Sequence, residues 1–357
     1  MSEGEAIDLD VDGTVVRVSN PNKVFFTGIG ATKLDLISYY RSISEPLMRT
    51  VRGRPITMER YPDGASGKSF FQKRVPTGPE WLVTTEVATV NGTPSEALVL
   101  ADMAHVVYAV NLGCLGFHPW PFLAADPMHT DELRIDLDPS PGVTFDMVRQ
   151  AAFLTQALLQ EVGITGFVKT TGSRGLHVYI RVRERLDSYA VRAAAVAFAR
   201  ELERRHPDLC TAAWWKEERG ARVFVDFNQN APHKTVFGAW AARPRVGGQV
   251  STPVTWQELA TIDPDTLTIE TVPVRVAIGG DPWLTMNDAP QSIEPLLEWS
   301  ARDLAAGLGD APWPPVYPKM PGEPSRVAPS RAKRPKEVTA ARPPATRRPR
   351  RSDETTE

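Results

Sequence analysis

Apolar and polar residues alternate along ELRIDLDPSPG. Leu133, Ile135 and Leu137 take one set of positions, and Arg134, Asp136 and Asp138 take the other. A period of two predicts a strand with one apolar face, ended by Pro139 and Pro141–Gly142. The same alternation in IDLDV and TVVRV, either side of Asp12–Gly13, predicts a hairpin over residues 5–18. FVKTTGSRGLHVYIRV reads as two strands around a Gly-rich turn, and RVFVDFNQN as one more alternating strand. Helical spacing appears over residues 31–49, over 144–163 with Thr144 as N-cap and Gly163 as stop, and over 188–205. Between Pro55 and Leu112, the runs ITMERY, SFFQKR, WLVTTEVATV, ALVLADM and HVVYAVNL read as short strands. Meanders of strands with helices between them predict an α+β (mixed α/β) fold, with no internal repeat.

Periodicity stops near Ala311. The segment from there is rich in Pro, Arg and Ala. The expected organisation is therefore a catalytic domain over residues 1–310 and a disordered Pro/Arg-rich basic tail over 311–357. Charge follows the same boundary. The whole chain carries a net charge of −2, yet residues 319–351 hold eleven Lys/Arg against two Glu. The body is acidic, so any nucleic-acid binding by it must come from local patches. No apolar run approaches the roughly 20 residues of a membrane span. The acidic N-terminus lacks a secretion signal, and Cys114 and Cys210 have no metal-like spacing. These features predict a reduced, cytoplasmic protein without a membrane partner.

Side chains two apart on a strand share a face, so Asp136 and Asp138 stand together. Paired carboxylates raise each other's pKa unless a cation lies between them, and a hard ion such as Mg²⁺ or Mn²⁺ suits their oxygens. A solvated polar strand face is the competing explanation, and for an isolated D-x-D it is the commoner one. In TTGSRGLHVYI, Gly172 and Gly175 bracket Ser173–Arg174, with His177 on the strand that follows. Turn N–H groups, a hydroxyl, a guanidinium and an imidazole there would form an anion cradle; an ordinary hairpin turn is the alternative. Asp226 sits between Val225 and Phe227 in an apolar strand, where an acid is costly without a partner; capping a turn through Asn228 is its alternative. Gln229, Asn230, Lys234 and Arg243 follow as polar or basic groups. Three acids beside a phosphate cradle make a two-metal constellation. GASGKS (64–69) is not a P-loop, because its glycines are too close and a strand-like FFQKR follows.

DELRIDLDPSPG, TTGSRGLHVYI and RVFVDFNQNAPHKT, in this order, closely resemble the three motifs of the archaeo-eukaryotic primase superfamily. More narrowly, the chain resembles the polymerase domain of bacterial ATP-dependent DNA ligase D, from about Val18 to Trp299. SNPNKVFF, ATKLDLISYY, RPITMERYPDG, SFFQKR, HPWP, WWKEER and GDPW carry the likeness further. The resemblance implies a primase-like fold whose two subdomains clasp a metal site. It implies that Asp136, Asp138 and Asp226 bind two divalent ions, Mn²⁺ or Mg²⁺. Ser173, Arg174 and His177 would contact the triphosphate of an NTP or dNTP, with Lys234 and Arg243 as further nucleotide-binding groups. Lys23 and Lys33, helped by Arg52, would recognise the 5′-phosphate across a DNA gap. Phe70 and Phe71 match an aromatic pair that packs on template bases; burial of one ring in the core is the alternative. Arg174 stands where the family often has Lys. No K-x-D-G nucleotidylation motif or phosphoesterase segment is evident, so the expected form is the stand-alone actinobacterial primase-polymerase.

The implied activity is DNA-dependent, ribonucleotide-preferring nucleotidyl transfer. It would fill short gaps or extend ends in non-homologous end joining or base excision repair. Implied partners are gapped or broken DNA with a 5′-phosphate, a separate ATP-dependent DNA ligase and Ku. The expected form is a nucleoid-associated monomer. De novo primer synthesis is the rival within the same chemistry. A DNA-end binding or bridging module without essential catalysis, and a two-metal nuclease, are the rivals outside it.

Overall fold

The computed structural model describes residues 5–75 and 78–324. Two hydrophobic cores organise the chain. The first gathers Val11, Phe25, Leu36, Tyr40, Val106 and Phe117, while the second gathers Leu133, Ile135, Leu137, Val148, Phe198 and Phe224. Each core backs a five-stranded sheet. In the first sheet, Pro55–Arg60 pairs antiparallel with Phe70–Gln72, Ser95–Val99 and Cys114–Pro119, and Thr84–Val87 adds to Ser95–Val99. In the second, the order is Phe167–Thr170, Leu176–Leu186, Thr130–Pro139, Val223–Asp226, Cys210–Thr211, antiparallel except for the last pair.

Thr130–Pro139 sits at the centre of the second sheet, and its alternation settles how the sheet is used. Leu133, Ile135 and Leu137 are buried in the core formed with helices Phe145–Glu161 and Ser188–Arg205. Glu132, Arg134, Asp136 and Asp138 take the opposite face. That face looks towards the first unit: Tyr179, paired with Arg134, belongs to the first core. Arg54, just before the first sheet's central strand, donates to both carboxylate oxygens of Asp131 at 2.8 and 2.7 Å. Its guanidinium also lies 3.2 Å from Glu132, which accepts from Arg134 at 2.6 Å and Arg181 at 3.0 Å. This buried ionic knot ties the sheets together.

The predicted hairpin forms as Ala6–Val11 and Thr14–Ser19, turning through Asp12 and Gly13 with positive φ at both. Helix Phe145–Glu161 starts at Thr144, whose hydroxyl accepts from Met147 N–H, and Ser188–Arg205 forms as expected. Four expectations change. HVVYAVNL is not a strand: Met103–Asn111 is a helix capped by Asp102, and residues 103–110 are all buried. A helix enclosed on every side has no polar stripe to betray its period, and its β-branched residues mimic a strand. The helix over 31–49 is two helices, Lys33–Ser42 and Ser44–Val51. Pro46 explains the break, since its ring meets the carbonyl four residues earlier. RVFVDFNQN is strand only to Asp226, after which Phe227–Asn230 forms a 3₁₀ turn.

The fourth change concerns the boundary at residue 311. Residues 311–324 pack on the body, with Ala311, Trp313 and Tyr317 buried. Three aromatic and apolar anchors fasten a segment whose Pro content hides any period. Residues 325–357 of the expected tail lie outside the described residues.

Candidate metal and nucleotide site

Strand register builds the site. Lys169 pairs with His177, His177 with Asp136, and Asp136 with Asp226. Directly opposed residues share a face, so four ionisable side chains form one row across four strands. Asp138 stands one pleat further along, opposite Phe224. One oxygen from each of Asp136, Asp138 and Asp226 lies within 4.8 Å of the others. His177 Nε2 approaches Asp136 Oδ1 to 3.3 Å without hydrogen-bonding geometry, and that buried oxygen has no hydrogen-bond partner among the described residues. Three carboxylates within reach of one another, one of them carrying a buried oxygen without a hydrogen-bond partner, are what a cation site requires. The donor set therefore fits a hard divalent ion. Asp226 also caps the turn as the alternative reading held: its Oδ1 accepts from Asn228 N–H at 2.9 Å, and its Oδ2 from Gln229 at 3.0 Å.

A cleft of about 610 Å³ opens over this row, lined among others by Asp136, Asp138, Ser173, Arg174, His177 and Arg243. The turn Gly172–Gly175 forms its wall. Gly172 has φ of +68°, and a Cβ there would come within 2.7 Å of the Arg243 side chain. A Cβ at Gly175 would lie 2.9 Å from Leu137 O, so the turn presses directly on the acidic strand. Arg174 is exposed and Ser173 half-buried. Arg243 is held twice: Nε donates to Thr171 O at 2.5 Å, and its guanidinium stacks 3.7 Å from the Phe237 ring centre.

Burial pushes Asp136 up to about 6. Burial and then the Asp136 charge push Asp138 up to about 6 and Asp226 up to about 7. His177 is held well below the usual imidazole range by burial, then by Lys169 and Arg243. Lys169 is likewise held well below the ammonium range by burial, with Arg243 adding to it. Three acids that resist ionising beside two basic groups that resist protonation describe a desolvated pocket in which burial outweighs the local charges.

The other expected residues are placed as follows. Lys234 is half-buried and near enough to favour the Asp226 carboxylate. Lys23 and Lys33 are close enough to interact, but they differ in access. Lys23 pairs with Asp63 at 3.0 Å and is partly exposed. Lys33 is 4% exposed and donates to Ser19 O and Asn111 O; burial, then the Lys23 charge, lowers it to about 8. Arg52 is exposed in a different groove, which also contains Arg49 and Arg54, so it is not gathered with the two lysines. Phe70 and Phe71 are both exposed, at 46% and 62%, so neither is a core residue. Phe71 meets the His118 ring edge-on at 5.3 Å, and His118 meets Phe237 at 5.1 Å, which joins Phe71 to the cleft.

A family model described as LigD, primase-polymerase domain, matches residues 32–283. The chain belongs to the LigD primase-polymerase family. This domain is that of a nucleotidyltransferase. The multifunctional non-homologous end joining protein LigD of Mycolicibacterium smegmatis is 31% identical over 253 residues, covering 70% of this chain and 33% of that protein. LigD of Pseudomonas aeruginosa is 30% identical over 276 residues, covering 75% and 32%. The bifunctional LigD of Bacillus subtilis is 31% identical over 284 residues, covering 79% and 45%. The chain thus spans about a third to under half the length of these relatives. The polymerase domain from Mycobacterium tuberculosis ligase D, solved in complex with DNA, superposes with a TM-score of 0.72 at 29% identity, covering 77% of this chain and 99% of that one.

For this member of the family, sequence reasoning missed Lys169, Arg219 and the Glu59–His118 pair. Lys169 is fully buried, donates to Ser251 Oγ at 2.5 Å and ends the ionisable row. Only part of its signal was present: the two strands around the Gly-rich turn were legible, but the register that sets Lys169 opposite His177 belongs to the fold. Arg219 lines the cleft and lies 3.4 Å from the Phe224 ring centre, from the WWKEER segment. His118 Nε2 lies 3.1 Å from Glu59, which also accepts from Tyr61 at 2.6 Å. No local spacing announces that pair, because strand pairing between Glu59 and Gly116 creates it.

Proposed function

We propose that this chain is a DNA-dependent nucleotidyltransferase that fills short gaps or extends ends during DNA repair, with a preference for ribonucleotides. The observation that carries the reading is the convergence of Asp136, Asp138 and Asp226 beside a cleft walled by Ser173, Arg174, His177 and Arg243. Carboxylates for cations and a turn rich in donors for phosphates are the two halves of polymerase chemistry. A nuclease would have no use for the second half. The DNA-bound state of the Mycobacterium tuberculosis domain supports DNA as the partner.

In this reading the three carboxylates hold two divalent ions, Mn²⁺ or Mg²⁺. When bound, such ions lower the pKa of the primer 3′-hydroxyl and neutralise charge on the departing pyrophosphate. The primer 3′-oxygen bonds to the α-phosphorus of the NTP as the bond to pyrophosphate breaks. Ser173 and Arg174 orient the triphosphate on their turn, and Arg243 supplies a guanidinium already stacked and aligned. His177, kept neutral by burial, gives a directional hydrogen bond in place of a charge. Lys234 adds positive charge behind Asp226. Phe70 and Phe71 offer stacking faces to template bases. Lys23, with Lys33 beneath it, serves the downstream 5′-phosphate, with Arg52 outside that pair. A separate ATP-dependent ligase and Ku complete the repair, in the cytoplasm at the nucleoid, with the protein acting as a monomer.

The test is synthesis on primed one- and two-nucleotide gaps, with rNTPs or dNTPs, Mn²⁺ or Mg²⁺, and with or without the 5′-phosphate. Wild-type protein extends the primer and releases pyrophosphate, and Asp136→Ala reduces synthesis to background. Undiminished synthesis by Asp136→Ala would remove the assignment.

A further inference from the structure

Asp226 is the one member of the acidic trio at the end of its strand, so strand pairing alone does not hold it. The 3₁₀ turn after it does. Asn228 N–H and the Gln229 amide fix its two oxygens at 2.9 and 3.0 Å. The turn's last residue, Asn230, is tied to the Arg134 backbone of the acidic strand at 2.8 and 2.7 Å, while Asn228 is held from the far side, away from the cleft. Asn228 Oδ1 accepts from Arg192 Nε at 2.8 Å, and Asn228 Nδ2 donates to Pro312 O at 3.0 Å. Arg192, on helix Ser188–Arg205, is 2% exposed. Its remaining nitrogens donate to Asp310 Oδ1 at 2.9 Å and to Ala311 O at 3.0 Å. The guanidinium lies 3.8 Å from the Trp313 ring centre and 5.5 Å from that of Phe227.

The segment 310–324 is itself locked. Trp313 Nε1 donates to Asp310 at 2.6 Å, and the Glu323 carboxylate accepts from the N–H groups of Trp313 and Met320 at 2.9 and 3.0 Å. Tyr317 donates to Pro232 O, just beyond the turn, and Ala231, Trp313 and Tyr317 form a small core of their own. None of Arg192, Asn228, Asp310 or Trp313 lines the cleft. This strap also falls beyond residues 32–283, the span matched by the family model.

Resting on the metal-site reading above, we infer that Arg192 and the 310–324 strap are a positioning device for Asp226, setting the carboxylate's place in the cation site from behind. A planar fork is needed: Arg192 meets an amide oxygen, a carboxylate and a backbone carbonyl while stacked on Trp313, and lysine cannot make that set. Groups that orient metal ligands in this way typically change metal affinity about 10- to 100-fold when removed.

The experiment is Mn²⁺ binding to the full chain without DNA or nucleotide, followed by electron paramagnetic resonance. Circular dichroism and urea unfolding check each variant for folding. Wild type, Asp226→Asn, Trp313→Leu, Arg192→Lys and the double variant Asp226→Asn/Trp313→Leu are compared. Trp313→Leu and Arg192→Lys are expected to weaken Mn²⁺ binding about tenfold while remaining folded. The double variant is expected to be no weaker than Asp226→Asn, since the strap acts through that carboxylate. Steady-state synthesis should show a raised Mn²⁺ requirement with the KM for DNA unchanged. Should Arg192→Lys not fold, Trp313→Leu and a milder Trp313→Phe still decide the matter. Wild-type Mn²⁺ affinity in folded strap variants would overturn the inference, as would full additivity in the double variant. Unchanged Mn²⁺ binding in Asp226→Asn would instead overturn the site reading, and the inference with it.

Discussion

Asp136 owes its chemistry to what faces it. A lone aspartate on a solvated strand would ionise near 4 and do nothing further. Here register sets Asp226 on one side and His177 on the other, and burial lifts the acid to about 6. The same contrast applies to Phe71, where exposure is informative. A large ring 62% exposed on a three-residue strand gains little for the fold, yet it adjoins the cleft through His118. Phe71→Ala is therefore expected to weaken binding to a primer-template with a single-stranded gap by about 1–3 kcal/mol, roughly 5- to 150-fold in Kd. Its urea midpoint should match wild type. Fluorescence anisotropy of labelled DNA makes the measurement, and unchanged affinity would return Phe71 to the ordinary surface. The acids were legible in the sequence because strand alternation converts spacing directly into facing. The exposure of both phenylalanines was not, because it depends on which neighbours cover a short strand.

At the scale of elements, one row across four strands and one knot between two sheets account for the site's shape. The strands of the row could be read from alternation, but their order could not. Lys169 joins His177 only because Phe167–Thr170 folds back as the outer strand, and Arg54 meets Glu132 only because two distant sheets face each other. Helix Met103–Asn111 was hidden for a related reason, since full burial erases the polar stripe that marks a helix. The knot can be tested through Glu132. Burial alone would raise its pKa, but Arg54, Arg134 and Arg181 hold it at about 2. A depressed acid contributes stability above its unfolded value, roughly 4.3, and loses it as pH falls towards the folded value. Glu132→Gln leaves three buried guanidinium groups without their shared anion, so a loss of about 3–5 kcal/mol is expected at neutral pH. The variant's stability should also fall less steeply than wild type between about pH 4 and pH 2. Urea unfolding at several pH values checks both statements, and parallel acid limbs for the two proteins would show that Glu132 is not the titrating group.

On the scale of the whole molecule, charge is divided unevenly between body and tail. Residues 325–357 hold ten Lys/Arg against four acids, while the chain as a whole carries −2. An acidic body repels DNA at long range, and a basic segment joined to it can offset that repulsion by displacing counterions from phosphates. Where the chain is cut matters. A deletion from residue 319 would also remove Met320 and Glu323, and with them the two hydrogen bonds that close the strap behind Asp226. Its effect on synthesis would then mix DNA contact with site geometry. A chain ending at residue 324 separates the two. It is expected to keep the wild-type Mn²⁺ requirement and lose DNA affinity mainly at low salt. The slope of log K against log salt should become shallower by about 0.7–0.9 for each phosphate contact removed. Anisotropy titrations at several salt concentrations measure that slope. An unchanged slope would mean that the acidic body alone gathers the phosphates, which would throw the whole electrostatic burden on the cleft and on Lys23 and its neighbours.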